Sequence, residues 1–299
     1  MSAPVVIYSR NSAKWIAGLL AQKGKLDLHE VWEDGVRNLA PKVAYFRIGE
    51  DFGSPVAGEA LELERRYRAV GARIVNPPSA KFLSSRKDDA YLLLSAAGIK
   101  APFRIASPRL GDIMAALAVG KLKYPFVLRT VDGMNGNLTD IVRGEKQVED
   151  TLAKHSIRGP RFMACEFISS QTKDGYHAKW RAYVFGEKID MWEGGIARRW
   201  IVNLADNQDF EPKDFQKFGE IGNWPHRFTA LVLKAARALA LDVVAFDVLL
   251  DGTICDVNDT YGMTLDKLPG DLVPQNLRKY RAGHYGRLGD WLCSLAGVA

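Results

Sequence analysis

Residues 243–258 read Val243-Val244-Ala245-Phe246-Asp247-Val248-Leu249-Leu250-Asp251-Gly252-Thr253-Ile254-Cys255-Asp256-Val257-Asn258, two apolar runs around Asp-Gly. That dipeptide is the strongest short-range hairpin signal, because a two-residue type I′ turn needs positive φ at both central positions. With Asp251-Gly252 as the turn, Leu250 faces Thr253, and three pairs further back Asp247 lies directly opposite Asp256. Asn258 shares their face, since strand side chains alternate with a period of two. Directly opposed Cβ atoms stand about 4.5–5.5 Å apart, where like charges destabilise a sheet. Three arrangements answer that cost. The two carboxylates share a proton, or Asp247, Asp256 and the Asn258 side-chain oxygen bind a hard divalent cation, or the aspartates lie on the wet face of an edge hairpin screened by arginine. The oxygen-only set suits Mg²⁺, with Mn²⁺ as the alternative ion, because Mg²⁺ takes one or two carboxylates and completes its shell with phosphates and water.

Outward from this hairpin, residues 228–241 carry Phe228, Leu231, Val232, Ala235 and Leu239, a helical stripe assigned to core packing. Trp180 to Trp192 reads as a hairpin turning at Gly186-Glu187, which suits type II′. Phe162 to Phe167 and Tyr124 to Thr130 read as strands, with a Gly-containing loop from Val131 to Asn137 and a returning strand from Leu138 to Val142. Asp88 to Ala97 reads as a helix stopped by Gly98 in the left-handed conformation, and the chain ends in a helix near Tyr285 to Leu295. The first eighty residues alternate Val5 to Tyr8, a helix around Ala13 to Gln22, Lys42 to Ile48, a helix around Pro55 to Val70, and Arg73 to Val75. This is a βαβαβ pattern, the mark of a small parallel sheet covered by helices. No strand leads into GxGxxG, which argues against a dinucleotide site. The expected division is 1–78 for an N-terminal α/β lobe, 79–160 for a central unit and 161–299 for a C-terminal unit.

The chain has 299 residues, 47% apolar and 25% charged, a composition of ordinary globular proteins that excludes disorder, collagen and coiled coil. Lys plus Arg number 41 against 35 Asp plus Glu, a net +6, so the surface field mildly favours anions. The basic residues are dispersed in ones and twos, which gives no sign of a nucleic-acid partner. Cys165, Cys255 and Cys293 form an odd set without paired spacing, and neither a signal peptide nor a membrane-spanning run is present, so a cytoplasmic protein without a membrane partner is expected. Five histidines lie far apart, and no Ser/His/Asp or Cys/His set is recognisable.

Taken together, Asp247, Asp256 and Asn258 on a last hairpin resemble the ATP-grasp family of carboxylate–amine ligases, which includes D-alanine ligases, glutathione synthetases and the ribosomal-protein glutamate ligases. The resemblance covers roughly residues 76 to 262, in several pieces in the right order. Arg86-Lys87-Asp88-Asp89 and the helix after it look like the family's Asp-Lys element, which places Lys87 on nucleotide phosphates. Arg129 stands at the strand end where the family carries a second phosphate-binding Lys. Asp132-Gly133-Met134-Asn135-Gly136-Asn137 resembles the glycine-rich flap, with Gly133 and Gly136 letting backbone N–H groups approach phosphate oxygens. Cys165-Glu166-Phe167-Ile168 looks like the hinge strand, so Glu166, Phe167 and Ile168 would meet adenine. Arg181 lies in a run similar to the family's Asp-x-Arg strand, reaching the γ-phosphate and the acyl-phosphate intermediate.

The resemblance implies an α/β (α+β) chain with the ATP-grasp fold behind an N-terminal Rossmann-like parallel-sheet lobe. It implies an ATP- and Mg²⁺-dependent, ADP-forming carbon–nitrogen ligase whose partners are a small-molecule or peptide carboxylate and an amine, with a homo-oligomer left open. Arg198, Arg199 and Asn203 are candidates for a substrate carboxylate, which Arg binds through two parallel hydrogen bonds. The chain departs from the family pattern at Asp256, where Glu is commoner, at Arg129, at Asn137, at Lys179, which replaces an acid, and in Asp259-Thr260-Tyr261-Gly262, which lacks the usual Ser-Pro. A kinase-like phosphotransferase and a non-catalytic ATP-binding regulatory protein are the alternatives.

Overall fold

The computed structural model describes residues 3–9, 25–49, 54–131, 139–157, 161–202, 224–258 and 283–298. The expected helix at 13–22, the flap with Gly133 and Gly136, Asn203, and residues 259–262 lie outside the described residues.

Three four-stranded sheets organise the chain. The first holds β1 (Val5–Tyr8), β2 (Asp27–Glu30), β3 (Val43–Arg47) and β4 (Arg73–Val75), all parallel, in the order β2-β1-β3-β4. Alternation decides which residues go where: Val5, Ile7, Ala44, Phe46 and Ile74 pack against α1 (Pro55–Ala69), whereas Val6, Tyr45 and Val75 pack toward the C-terminal sheet. Helix α1 starts where Ser54 Oγ accepts from the Ala57 amide with Pro55 at its first position, and the Tyr67 hydroxyl donates to the Val36 carbonyl at 2.7 Å. Strand β2 has a single apolar residue, Leu28, and alternation did not predict it.

The second sheet contains β5 (Arg104–Ala106), β6 (Phe126–Thr130), β7 (Thr139–Val142) and β8 (Phe162–Glu166), antiparallel, in the order β5-β8-β6-β7. It therefore extends across the division expected at 160/161, because Phe162–Glu166 completes this sheet instead of opening the next unit. One face packs on α4 (Leu110–Ala118) and α5 (Val148–Ile157) through Phe126, Leu128, Ile113 and Val148. The other presents Val127, Met163 and Cys165 to Tyr91. Helices α2 (Pro78–Ser84) and α3 (Lys87–Ala96) precede this sheet in sequence. A bond from Ile99 N to Leu94 O and a φ of 68° at Gly98 close α3 as expected.

The third sheet runs β10-β9-β11-β12, where β9 is His177–Phe185, β10 Lys188–Ala197, β11 Val243–Leu249 and β12 Ile254–Asn258. Val244, Phe246 and Val248 face α3 and α6 (Thr229–Ala238), where Val232 and Ala235 of the expected stripe are buried. Val243, Ala245, Tyr183 and Phe185 face the N-terminal sheet and α7 (His284–Ala296). Gly186 turns the β9–β10 hairpin with φ of 55°. No helix among the described residues is long and apolar enough to cross a membrane.

Candidate functional site

The charged residues of the last hairpin continue the Ala245 row, on the sheet face away from α3 and α6. Asp247 pairs with Asp256, and Ala245 with Asn258, as the Asp-Gly turn predicts. The route to that register differs. Leu249 N donates to Thr253 O and Gly252 N to Leu249 O, so the loop has three residues, with Gly252 at φ 86°. This shifts the pairing by one, to Val248 opposite Ile254, and Cys255 then bulges out and restores Asp247 opposite Asp256. Tyr91 of α3 holds the bulge by donating its hydroxyl to the Cys255 carbonyl at 2.5 Å.

The two aspartates are compensated by cations. Asp247 is buried and accepts from Arg181 Nε at 2.6 Å, Arg181 Nη2 at 3.0 Å and Lys179 Nζ at 2.5 Å. Register accounts for both partners: on β9, Arg181 lies directly opposite Asp247 and Lys179 opposite Leu249, on the same face two residues away. Asp256 Oδ1 lies 2.9 Å from Lys87 Nζ, and Lys87 heads α3 with its amide donating to the Val131 carbonyl just past β6. Burial works to raise both carboxyls. The charges of Arg181 and Lys179 hold Asp247 well below the ordinary carboxylate range, and Lys87 and Arg129 lower Asp256. Both are therefore ionised, so a shared proton does not describe the pair, and Asp247 is not on a wet face. Arg129 lies between Val127 and Val131 on the face of the second sheet shared with Tyr91 and Met163, and its Nε is buried with no hydrogen-bond partner among the described residues. Burial raises the thiols of Cys165 to about 11 and Cys255 to about 12, which removes both as nucleophiles.

Five of the expected residues, Lys87, Arg129, Arg181, Asp247 and Asp256, thus converge where the second and third sheets meet. Sequence reasoning missed Lys179 as a member of this cluster and Tyr91 as its support. It also missed Glu193, which pairs with Arg181 because a bulge at Asp190 displaces β10 by one residue. Without that bulge Trp192 would face Arg181. Glu166 ends β8, where its amide donates to the Phe103 carbonyl at 2.9 Å; its side chain is exposed. Phe167 sets its ring edge-on to Trp200 at 5.8 Å, and Ile168 is half-buried beside it in sequence. Arg198 and Arg199 are exposed just beyond β10.

No protein-family model and no curated protein matches this sequence. Solved structures do. A RimK-domain ATP-grasp protein from Sphaerobacter thermophilus superposes with a TM-score of 0.57 at 18% identity, over 97% of this chain and 99% of that one. The ligase PsnB, complexed with a precursor peptide and AMPPNP, gives 0.61 at 13%, over 99% and 98%. This chain has the ATP-grasp fold. A D-alanine–D-alanine ligase from Bacillus anthracis complexed with ATP agrees, at 0.59 and 16% identity over 99% and 97%. Charges from separate sheets share one place in this fold: Lys87, and Arg129 on the second sheet, act on Asp256 of the third.

The oxygen chemistry of the hairpin fits a hard divalent cation. Asp256 Oδ2 has no partner among the described residues, and its side chain is 23% exposed. On the same face, Asn258 is half-buried and its Nδ2 has no hydrogen-bond partner among the described residues. No group of three or more His, Cys, Asp or Glu able to hold a metal occurs among them, so the remaining ligands of such an ion would be phosphate and water.

Proposed function

We propose that this chain is an ATP- and Mg²⁺-dependent, ADP-forming carboxylate–amine ligase that works through an acyl-phosphate. The observation that carries the reading is the convergence of Lys87, Arg129, Lys179 and Arg181 on Asp247 and Asp256 at the meeting of the two ATP-grasp sheets. Four cations around two carboxylates leave an excess of positive charge suited to a triphosphate.

In this reading a substrate carboxylate attacks the γ-phosphorus, ADP leaves, and an amine then displaces phosphate from the acyl-phosphate to form the amide. Lys87 and Arg129 hold phosphate oxygens, and Arg129 brings a buried N–H in need of an acceptor. Arg181, fixed by two hydrogen bonds to Asp247, aims its guanidinium at charge developing on the transferred phosphoryl group. Asp256 and Asn258 would hold the divalent cation, which when bound would supply further neutralisation of the phosphates. Glu166 to Ile168 would receive adenine, Gly133 and Gly136 would cover the phosphates, and Arg198, Arg199 and Asn203 would take a substrate carboxylate. The PsnB structure with a precursor peptide supports including peptides among the carboxylate substrates.

A second reading, a nucleotide-binding protein without turnover, is favoured by one observation: Lys179 stands on Asp247 where the family pattern has an acid. A coupled assay separates the two. Release of ADP and phosphate that requires both an acid and an amine, across a panel of amino acids and short peptides, supports the ligase. ATP binding with no release under any member supports the second reading, and release of ADP without inorganic phosphate in the presence of an alcohol alone supports a kinase.

A further inference from the structure

Asp247 and Asp256 occupy equivalent positions in the register, but their surroundings are unequal. Asp247 uses both oxygens, with Oδ1 on Arg181 Nε and Oδ2 on Arg181 Nη2 and Lys179 Nζ, and only 1% of it is exposed. A carboxylate has about four lone-pair sites. Three are filled here, burial closes the approach to the fourth, and the ammonium on Oδ2 repels any further cation. Asp256 commits one oxygen only: Oδ1 pairs with Lys87 at 2.9 Å and accepts from the Val257 amide at 3.2 Å, while Oδ2 has no partner among the described residues and Asn258 lies two residues on, on the same face.

We propose that the Lys179 ammonium is the resident cation of Asp247, that the site takes one divalent ion per chain, and that Asp256 and Asn258 are its protein ligands. Asp247 is then a positioning residue, holding Lys179 and Arg181 in place. Both cations are rooted on β9, the strand flanking Asp247. Lys179 spends one of its three N–H donors on the carboxylate, so it can meet a phosphate oxygen without leaving Asp247. The lysine that departs from the family pattern thus supplies at Asp247 the positive charge that an ion there would bring. The inference rests on the ATP-binding reading above and adds the number and ligands of the metal.

The test counts Mn²⁺ bound to the full chain in the presence of AMPPNP, with free Mn²⁺ read by electron paramagnetic resonance and nucleotide retention measured separately by equilibrium dialysis. The proposal expects one Mn²⁺ per retained nucleotide in the wild-type chain and two in Lys179→Met. Asp256→Asn should weaken Mn²⁺ binding more than tenfold, and Asp247→Asn less than threefold. Two Mn²⁺ per nucleotide in the wild-type chain would overturn the proposal even if none of the three variants folds, as would equal losses in the two aspartate variants. Absence of nucleotide retention at any Mn²⁺ concentration would instead overturn the ATP-binding reading on which the proposal stands.

Discussion

Arg181 satisfies both oxygens of Asp247 from one planar group, and a single ammonium cannot reproduce that geometry. Arg181→Lys should therefore lower turnover by about 10²-fold, the scale of losing one preorganised donor to a developing anion, while far-ultraviolet circular dichroism stays that of the wild type. Turnover within threefold of wild type would remove Arg181 from the transition state. The pairing of Asp247 with Asp256 was readable from Asp251-Gly252, although through two compensating departures. A two-residue and a three-residue loop look alike in sequence, and the bulge at Cys255 depends on Tyr91, 164 residues away. The partners of Asp247 were not readable, because β9 meets β11 only in the folded sheet, 66 and 68 residues apart for Arg181 and Lys179.

The hairpin that carries these residues depends on its turn and on the helix beneath it. Gly252 has φ of 86°, and a Cβ there would stand 2.9 Å from the ring of Phe228, itself buried among Trp180 and Trp224. Gly252→Ala should destabilise the protein by about 1–3 kcal/mol, through left-handed strain and overpacking together, as a lowered urea midpoint; an unchanged midpoint would show that the loop relaxes freely. Elements with strong apolar periodicity, such as β11, α6 and α7, were legible because one face is buried. Strand β2 was not, since Asp27-Leu28-His29-Glu30 gains its place from parallel pairing with β1 and from His29 between Asp27 and Glu33.

Across the molecule, α7 shares an apolar core with Val6, Tyr45 and Val75 of the N-terminal lobe and is fixed to the third sheet by a buried polar cluster. His284 Nδ1 lies 2.8 Å from Asp190 Oδ2, and Arg287 binds both oxygens of the same carboxylate. Burial alone would raise Asp190, but Arg287 and His284 bring it down to about 2, whereas burial lowers His284 from 6.5. The signs agree. Asp190 contributes about 2 kcal/mol of stability that is complete above pH ~4 and lost as pH falls toward 2, and His284 costs stability once the unfolded chain protonates below about 6.5. Urea midpoints should therefore fall on acidification, and Asp190→Asn should flatten the lower part of that profile; a variant curve parallel to the wild type would refute the linkage. The parallel lobe and the hairpin were readable from local pattern, whereas the meeting of the sheets was not, since it joins residues 87, 129, 181 and 256, which lie far apart in sequence. Calorimetric titration of Mg²⁺ with AMPPNP into wild-type chain and Asp256→Ala measures whether the residues at that meeting hold a nucleotide and its metal. Saturable one-to-one binding by the wild type and at least tenfold weaker binding by a folded Asp256→Ala are predicted, and equal affinities, or no binding by the wild type, would contradict it.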